Sequence, residues 1–176
     1  MEVDHFLNFS VCPGERKYTD EESSELAKCV SRIWRIYKRQ EYLCRSLMRL
    51  EIPCRFRCQL GCGYIRYILF RKDLSEIYDQ VKCLINDGEL SSIVLSNDYH
   101  LSAGEHHCSA YIAKLVTGQK ELLDTYQTLV CKLDRYTEAS DICLGHLEKL
   151  SEYSQSLAVQ REHFAQREPA IYFSVA

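Results

Sequence analysis

CSAYIAKLVTGQKELLDTYQTLVCKLDRYTEASDICLGHLEKLSEYSQSLAVQREHF, residues 108–164, carries one apolar period from end to end. Alternate steps of four and three from Cys108 give Cys108, Ile112, Leu115, Gln119, Leu122, Tyr126, Leu129, Leu133, Tyr136, Ser140, Cys143, Leu147, Leu150, Ser154, Leu157, Arg161 and Phe164, of which thirteen of seventeen are apolar. Residues at this spacing fall on one stripe of an α-helix, and a stripe sustained over so many heptads predicts coiled-coil-like packing. Ser102-Ala-Gly-Glu105 matches a capping box and marks the start. The segment 102–168 therefore reads as a long C-terminal helix, about 95 Å if unbroken, with a kink or break expected near Gly118 or Gly145. Leu123, Val130, Leu144 and Tyr153 flank the seam and widen it. The polar seam positions Gln119, Ser140, Ser154 and Arg161 either set register or mark turns that leave the core.

Two shorter helices precede it. Thr19-Asp-Glu-Glu22 is a second capping box, with acids at the positive end of the helix dipole. From there Leu26, Val30, Ile33, Tyr37, Gln40, Cys44 and Leu47 repeat the four-three spacing. Trp34, Ile36, Leu43 and Leu50 widen that stripe, and Pro53 predicts its end near Ile52. Residues 54–63, punctuated by Gly61 and Gly63, read as a connector. Phe70, Leu74, Ile77, Val81 and Leu84 then mark a second helix that stops at Asn86-Asp87-Gly88, with Tyr64–Phe70 open to a short strand instead. Residues 89–101 show no clear period. The chain divides into an N-terminal arm 1–18, a basic helical region 19–101, the long helix 102–168 and an apolar tail 169–176. Low proline and glycine with abundant Leu, Glu, Lys, Arg and Gln fit an all-α helical bundle. The packing expected is of the first two helices against the N-terminal part of the third, with its C-terminal part projecting or finding a partner.

Charge is segregated along the chain. Residues 28–72 hold twelve Lys or Arg against Glu41 and Glu51, whereas the whole protein is at −3. Segregation of this kind bears on partners rather than on fold. An acidic protein surface, in this chain or another, is the preferred counterpart. Arg55, Arg57, Arg66, Arg71 and Lys72, interleaved with Phe56, Tyr64, Tyr67 and Phe70, also admit a nucleic-acid reading, since bases neutralise phosphates and aromatics stack. No helix-turn-helix, zinc-finger or RNP-type signature accompanies them.

Ten cysteines in a chain with no secretory leader pattern and no eighteen-residue apolar run read as reduced residues of a soluble intracellular protein. Cys29, Cys44, Cys83, Cys108, Cys131 and Cys143 sit among apolar helical positions, as core thiols would. One metal arrangement competes, in which Cys54, Cys58, Cys62 and Cys108 bind zinc with one of His100, His106 or His107. The spacing departs from a zinc knuckle, and neither metal nor cofactor is expected. Catalysis has little to stand on. Gly61-Cys-Gly63 lacks the third glycine of a dinucleotide loop, no Gly-Lys-Ser/Thr loop exists, and adjacent His106, His107 and Cys108 on a helix point different ways.

These features predict a non-catalytic interaction subunit, adaptor or scaffold of a larger cytoplasmic or nuclear assembly, binding other proteins through helical seams and complementary charge. The partners expected are helical, homo-oligomerisation included, with nucleic acid the alternative. The expected contact surface is Leu122, Leu129, Leu133, Leu147, Leu150 and Leu157, with Arg32, Arg35, Lys38 and Arg39 supplying charge and Arg55, Arg57, Arg66 and Arg71 extending it.

Overall fold

The computed structural model describes residues 20–82, 108–133 and 138–167. They form four helices: α1 (Asp20–Met48), α2 (Cys54–Lys82), α3 (Cys108–Lys132) and α4 (Glu138–Arg167). The N-terminal arm, Thr19 of the first capping box, the whole second capping box, the Asn86-Asp87-Gly88 stop, the 89–101 segment, His100, His106, His107 and the tail lie outside the described residues.

α1 follows its sequence pattern closely, since Leu26, Val30, Ile33, Tyr37, Gln40, Cys44 and Leu47 are all buried. Its end tightens through hydrogen bonds from the Arg49 and Leu50 amides to the carbonyls three residues back. Pro53 then restricts Ile52, and α2 starts at once with Cys54. The 54–63 connector is thus helix, and so is the Tyr64–Phe70 stretch where a strand was open. α2 is apolar on two sides, which blurs the period: Phe56, Leu60, Tyr67, Phe70, Leu74 and Ile77 point inward, while Ile65 and Leu69 point out.

The C-terminal helix is broken, but not at either glycine. The interruption follows Leu133, and α4 begins at Glu138 with Glu138 and Asp141 in its first turn, where carboxylates suit the helix dipole. Gly118 and Gly145 sit in mid-helix instead. A Cβ on Gly118 would collide with the Gln40 amide, so this glycine admits a neighbour's side chain, while Gly145 faces open space. α4 does not project. It folds back along α3, and because 133 to 140 is one heptad, the four-three seam stays in phase across the break.

Contacts between the helices give their directions. α1 and α3 run antiparallel, with Glu25 paired to Lys132 at one end and Gln40 donating to the Leu115 carbonyl (2.9 Å) toward the other. Arg71 to Glu41 (3.2 Å) and Arg57 to the Leu50 carbonyl (3.1 Å) set α2 antiparallel to α1. Arg66 to the Lys149 carbonyl (2.7 Å), with Gln59 bonded to Ser156, sets α4 antiparallel to α2. The helices thus form a ring in the order α1, α2, α4, α3, with α2 and α4 touching least. α2 ends where α1 begins, and α3 starts at the opposite end of the bundle. One continuous core fills the ring.

Candidate functional site

The leucines expected to face a partner are occupied within the chain. Leu122, Leu129, Leu150 and Leu157 are fully buried, Leu133 is nearly so, and Leu147 is half-buried against the same core. Their seam meets the seam of α1 and the inner face of α2. A stripe of this kind records only that it must be covered.

The centre of the bundle is a hydrogen-bonded cluster that the apolar period conceals. The Tyr37 hydroxyl donates to the Tyr126 oxygen (2.9 Å), Tyr126 meets His146 Nδ1 (2.9 Å), and His146 Nε2 meets Asp73 Oδ2 (3.1 Å) at the surface. One arrangement satisfies every group: a neutral imidazole accepts from Tyr126 at Nδ1 and donates to Asp73 from Nε2. Phe70 stacks on the imidazole at 3.8 Å between centroids. Beside this chain, Tyr67 donates to Gln119 Oε1 (2.7 Å), and the Gln119 amide donates to the Leu150 carbonyl (3.0 Å). Gln119 therefore locks three helices, which is the register role open to it in the sequence. Burial pushes the Tyr37, Tyr67, Tyr126 and Tyr153 phenols far up and the Cys44 and Cys143 thiols to about 12. It also pulls His146 down, with Asp73 opposing in part.

The interior is thus neutral at ordinary pH. Helix bundles that hold paired metals do so with inward Glu and Glu-x-x-His. Here Tyr37, Gln40, Tyr67, Gln119 and Tyr126 occupy the centre, and Cys143-x-x-His146 stands on α4. Among the described residues no three His, Cys, Asp or Glu side chains converge to hold a metal. The described core does not fit a carboxylate-bridged metal centre.

The basic residues divide into two sets. Arg32 and Arg39 both reach Glu121, Arg71 pairs with Glu41 and lies over the Trp34 ring, and Arg66 reaches α4 and lies over Tyr153. Lys38 has a partner as well, and Arg35 is half-buried on α1. Arg55 and Lys72 are exposed, and Arg57 is exposed while capping α1. Internal pairing therefore engages Arg32, Arg39, Arg66 and Arg71, while Arg55, Arg57 and Lys72 are exposed on α2 and Arg45 and Arg49 at the end of α1.

Arg55 and Lys72 belong to a row whose other members are absent from the expected surface. Arg55, Cys58, Cys62, Ile65, Leu69, Lys72, Glu76 and Asp79 are all exposed, in alternate steps of three and four along the outer side of α2. Ile65 and Leu69 are 57% and 55% exposed, a large apolar pair one turn apart and facing water. Cys54, Cys58 and Cys62 do share one side of a helix, but it is the outer side, so they are neither core thiols nor joined by Cys108, half-buried at the start of α3. Among the other cysteines, Cys44 and Cys143 are buried, Cys29 is intermediate and Cys131 is exposed. The signal for the outer row was present in the sequence as a second four-three period within α2. Charge tells the two apart after Leu69, and burial does so between Cys58 and Leu69.

No protein-family model matches the chain, and no curated protein matches it. Among solved structures, a mutant of Mycobacterium smegmatis Dps1 superposes with a TM-score of 0.56 at 12% identity, covering 82% of this chain and 99% of that one. The likeness is one of fold. It supports the all-α helical bundle read from the sequence and from the four helices. No helix among the described residues is long and apolar enough to cross a membrane.

Proposed function

We propose that this chain is a non-catalytic interaction module of an intracellular assembly, and that it docks a helical partner on the outer row of α2. The observation that carries this reading is the exposed strip Cys58, Cys62, Ile65 and Leu69, uncharged and continuous for about 16 Å at 1.5 Å per residue. A helix laid along it buries two large aliphatic side chains, and Arg55 at one end favours an acidic flank on the partner. The in-chain pairing of Arg32, Arg39 and Arg71 leaves fewer free cations for phosphates and so favours a protein over a nucleic acid.

The test compares proteins co-purified from cells with the wild type and with Ile65→Glu/Leu69→Glu, both checked for unchanged helicity. The double substitution should release the bound proteins. If the same set is retained, α2 is not the docking face and the proposal fails.

A further inference from the structure

We infer that the helix which fits the outer row of α2 is the same row of a second copy, paired antiparallel about a two-fold axis between Ile65 and Leu69. The inference rests on the proposed interaction role and supplies its partner. A two-fold contact brings one surface against itself, so the row must complement its own reversed sequence.

It does so. With Ile65 set against Leu69 of the second copy, Cys62 meets Lys72, Cys58 meets Glu76 and Arg55 meets Asp79, each pair occurring twice. Ile65 and Leu69 of both copies form the middle of the contact, where desolvation costs least, and the charged positions lie outside them. The charges reverse along α2 in the sense this register needs. Arg55, Arg57, Arg66, Arg71 and Lys72 lie in its first two-thirds with no acid among them, and Asp73, Glu76 and Asp79 follow. Reversal of one copy places Glu76 and Asp79 beside the other copy's Arg55, whereas parallel pairing would set Arg55 on Arg55 and Glu76 on Glu76. Antiparallel helices also oppose their dipoles favourably. The other large exposed apolar residues, Tyr42 on α1 and Leu144 and Val159 on α4, do not form such a row. α2 is free to carry the contact because it packs least against α4 and turns its outer side to solvent.

A single helix pair is small beside a standard interface, so the dimer is reversible, with a Kd on the order of 10 µM. Sedimentation velocity on the full chain in reducing buffer, from about 1 to 200 µM to bracket that value, tests it. The wild type should shift from monomer to dimer across this range, and Ile65→Glu/Leu69→Glu should stay monomeric with unchanged helicity. Arg55→Glu and Asp79→Arg should each weaken the dimer about tenfold, and the two together should regain most of that loss, because only a self-complementary register restores opposite charge. A wild type that is monomeric throughout overturns the inference, as does a dimer indifferent to Ile65 and Leu69, or a double charge swap weaker than either single one. A monomer that still captures other proteins through Ile65 and Leu69 overturns only the self-pairing. A dimer lost on substitution while protein capture is unchanged overturns the wider docking role instead.

Discussion

Tyr153 sits directly on Gly63, and this turns one conservative substitution into a measure of the α2–α4 packing. Ala should replace Gly in mid-helix with a gain of about 0.5–1 kcal/mol, since it lowers the entropy cost of helix formation. At Gly145 nothing lies within 4 Å of the added methyl, so Gly145→Ala should realise that gain. At Gly63 the methyl falls 2.9 Å from Tyr153 Cε1 and overlaps Cζ and the hydroxyl oxygen. The ring cannot swing aside cheaply. It is 5% exposed, packed edge-on to Tyr67 at 5.9 Å and covered by Arg66 at 5.5 Å. Overpacking of this kind costs about 1–3 kcal/mol, and the disturbed ring pair about 0.5–1.5 kcal/mol more, which outweighs the helix term. Gly63→Ala should therefore destabilise by about 2 kcal/mol net and lower Tm by roughly 4–8 °C, whereas Gly145→Ala should raise it by about 1–4 °C. Urea and thermal unfolding followed by helical circular dichroism measure both. In a Tyr153→Leu background the Gly63→Ala penalty should shrink toward zero. Equal stabilisation by the two alanines would refute the packing argument, because it would mean that Tyr153 does not sit on Gly63.

Other outcomes follow from the same geometry. Tyr126→Phe strips the Tyr37 hydroxyl of its acceptor and His146 Nδ1 of its partner, so a loss of about 2 kcal/mol is expected in urea unfolding. Tyr153→Phe removes a buried hydroxyl whose neighbour, the Cys44 thiol, is a weak hydrogen-bonding group, and should be close to neutral in the same assay. Burial lowers His146 below its ordinary value of 6.5, so its contribution is present above that pH and falls away as the imidazole protonates more readily in the unfolded chain. Stability should thus decline as pH drops below about 6.5, and more steeply in Asp73→Asn, which removes the group that favours the charged imidazole. Thiol labelling read by peptide mapping should modify Cys54, Cys58, Cys62 and Cys131 quickly under native conditions. Cys44 and Cys143 should react only on unfolding, being buried with thiols held near 12.

The sequence by itself determined that the chain is helical and which side of α1 and α3 is dry. The four-three steps of α1 and of residues 112–133 name the buried positions almost residue by residue, because a helix places such positions on one side whatever it packs against. It could not say what covers that side. The seam of residues 108–164 reads the same for a partner in trans as for a helix folded back on itself, since a break of one heptad leaves the phase untouched. Tertiary structure decided that Leu122, Leu129, Leu150 and Leu157 belong to the chain's own core, and so moved the candidate surface to α2. It also decided between the two apolar rows of α2. Phe56, Leu60 and Tyr67 are buried in the core, while Ile65 and Leu69 face solvent. Charge separates the rows after Leu69 but scarcely before it, and the Tyr37–Tyr126–His146–Asp73 chain joins residues up to 109 positions apart on all four helices. A local pattern encodes the direction of a side chain along its own helix; the identity of what it meets is set only when the four helices close into a ring.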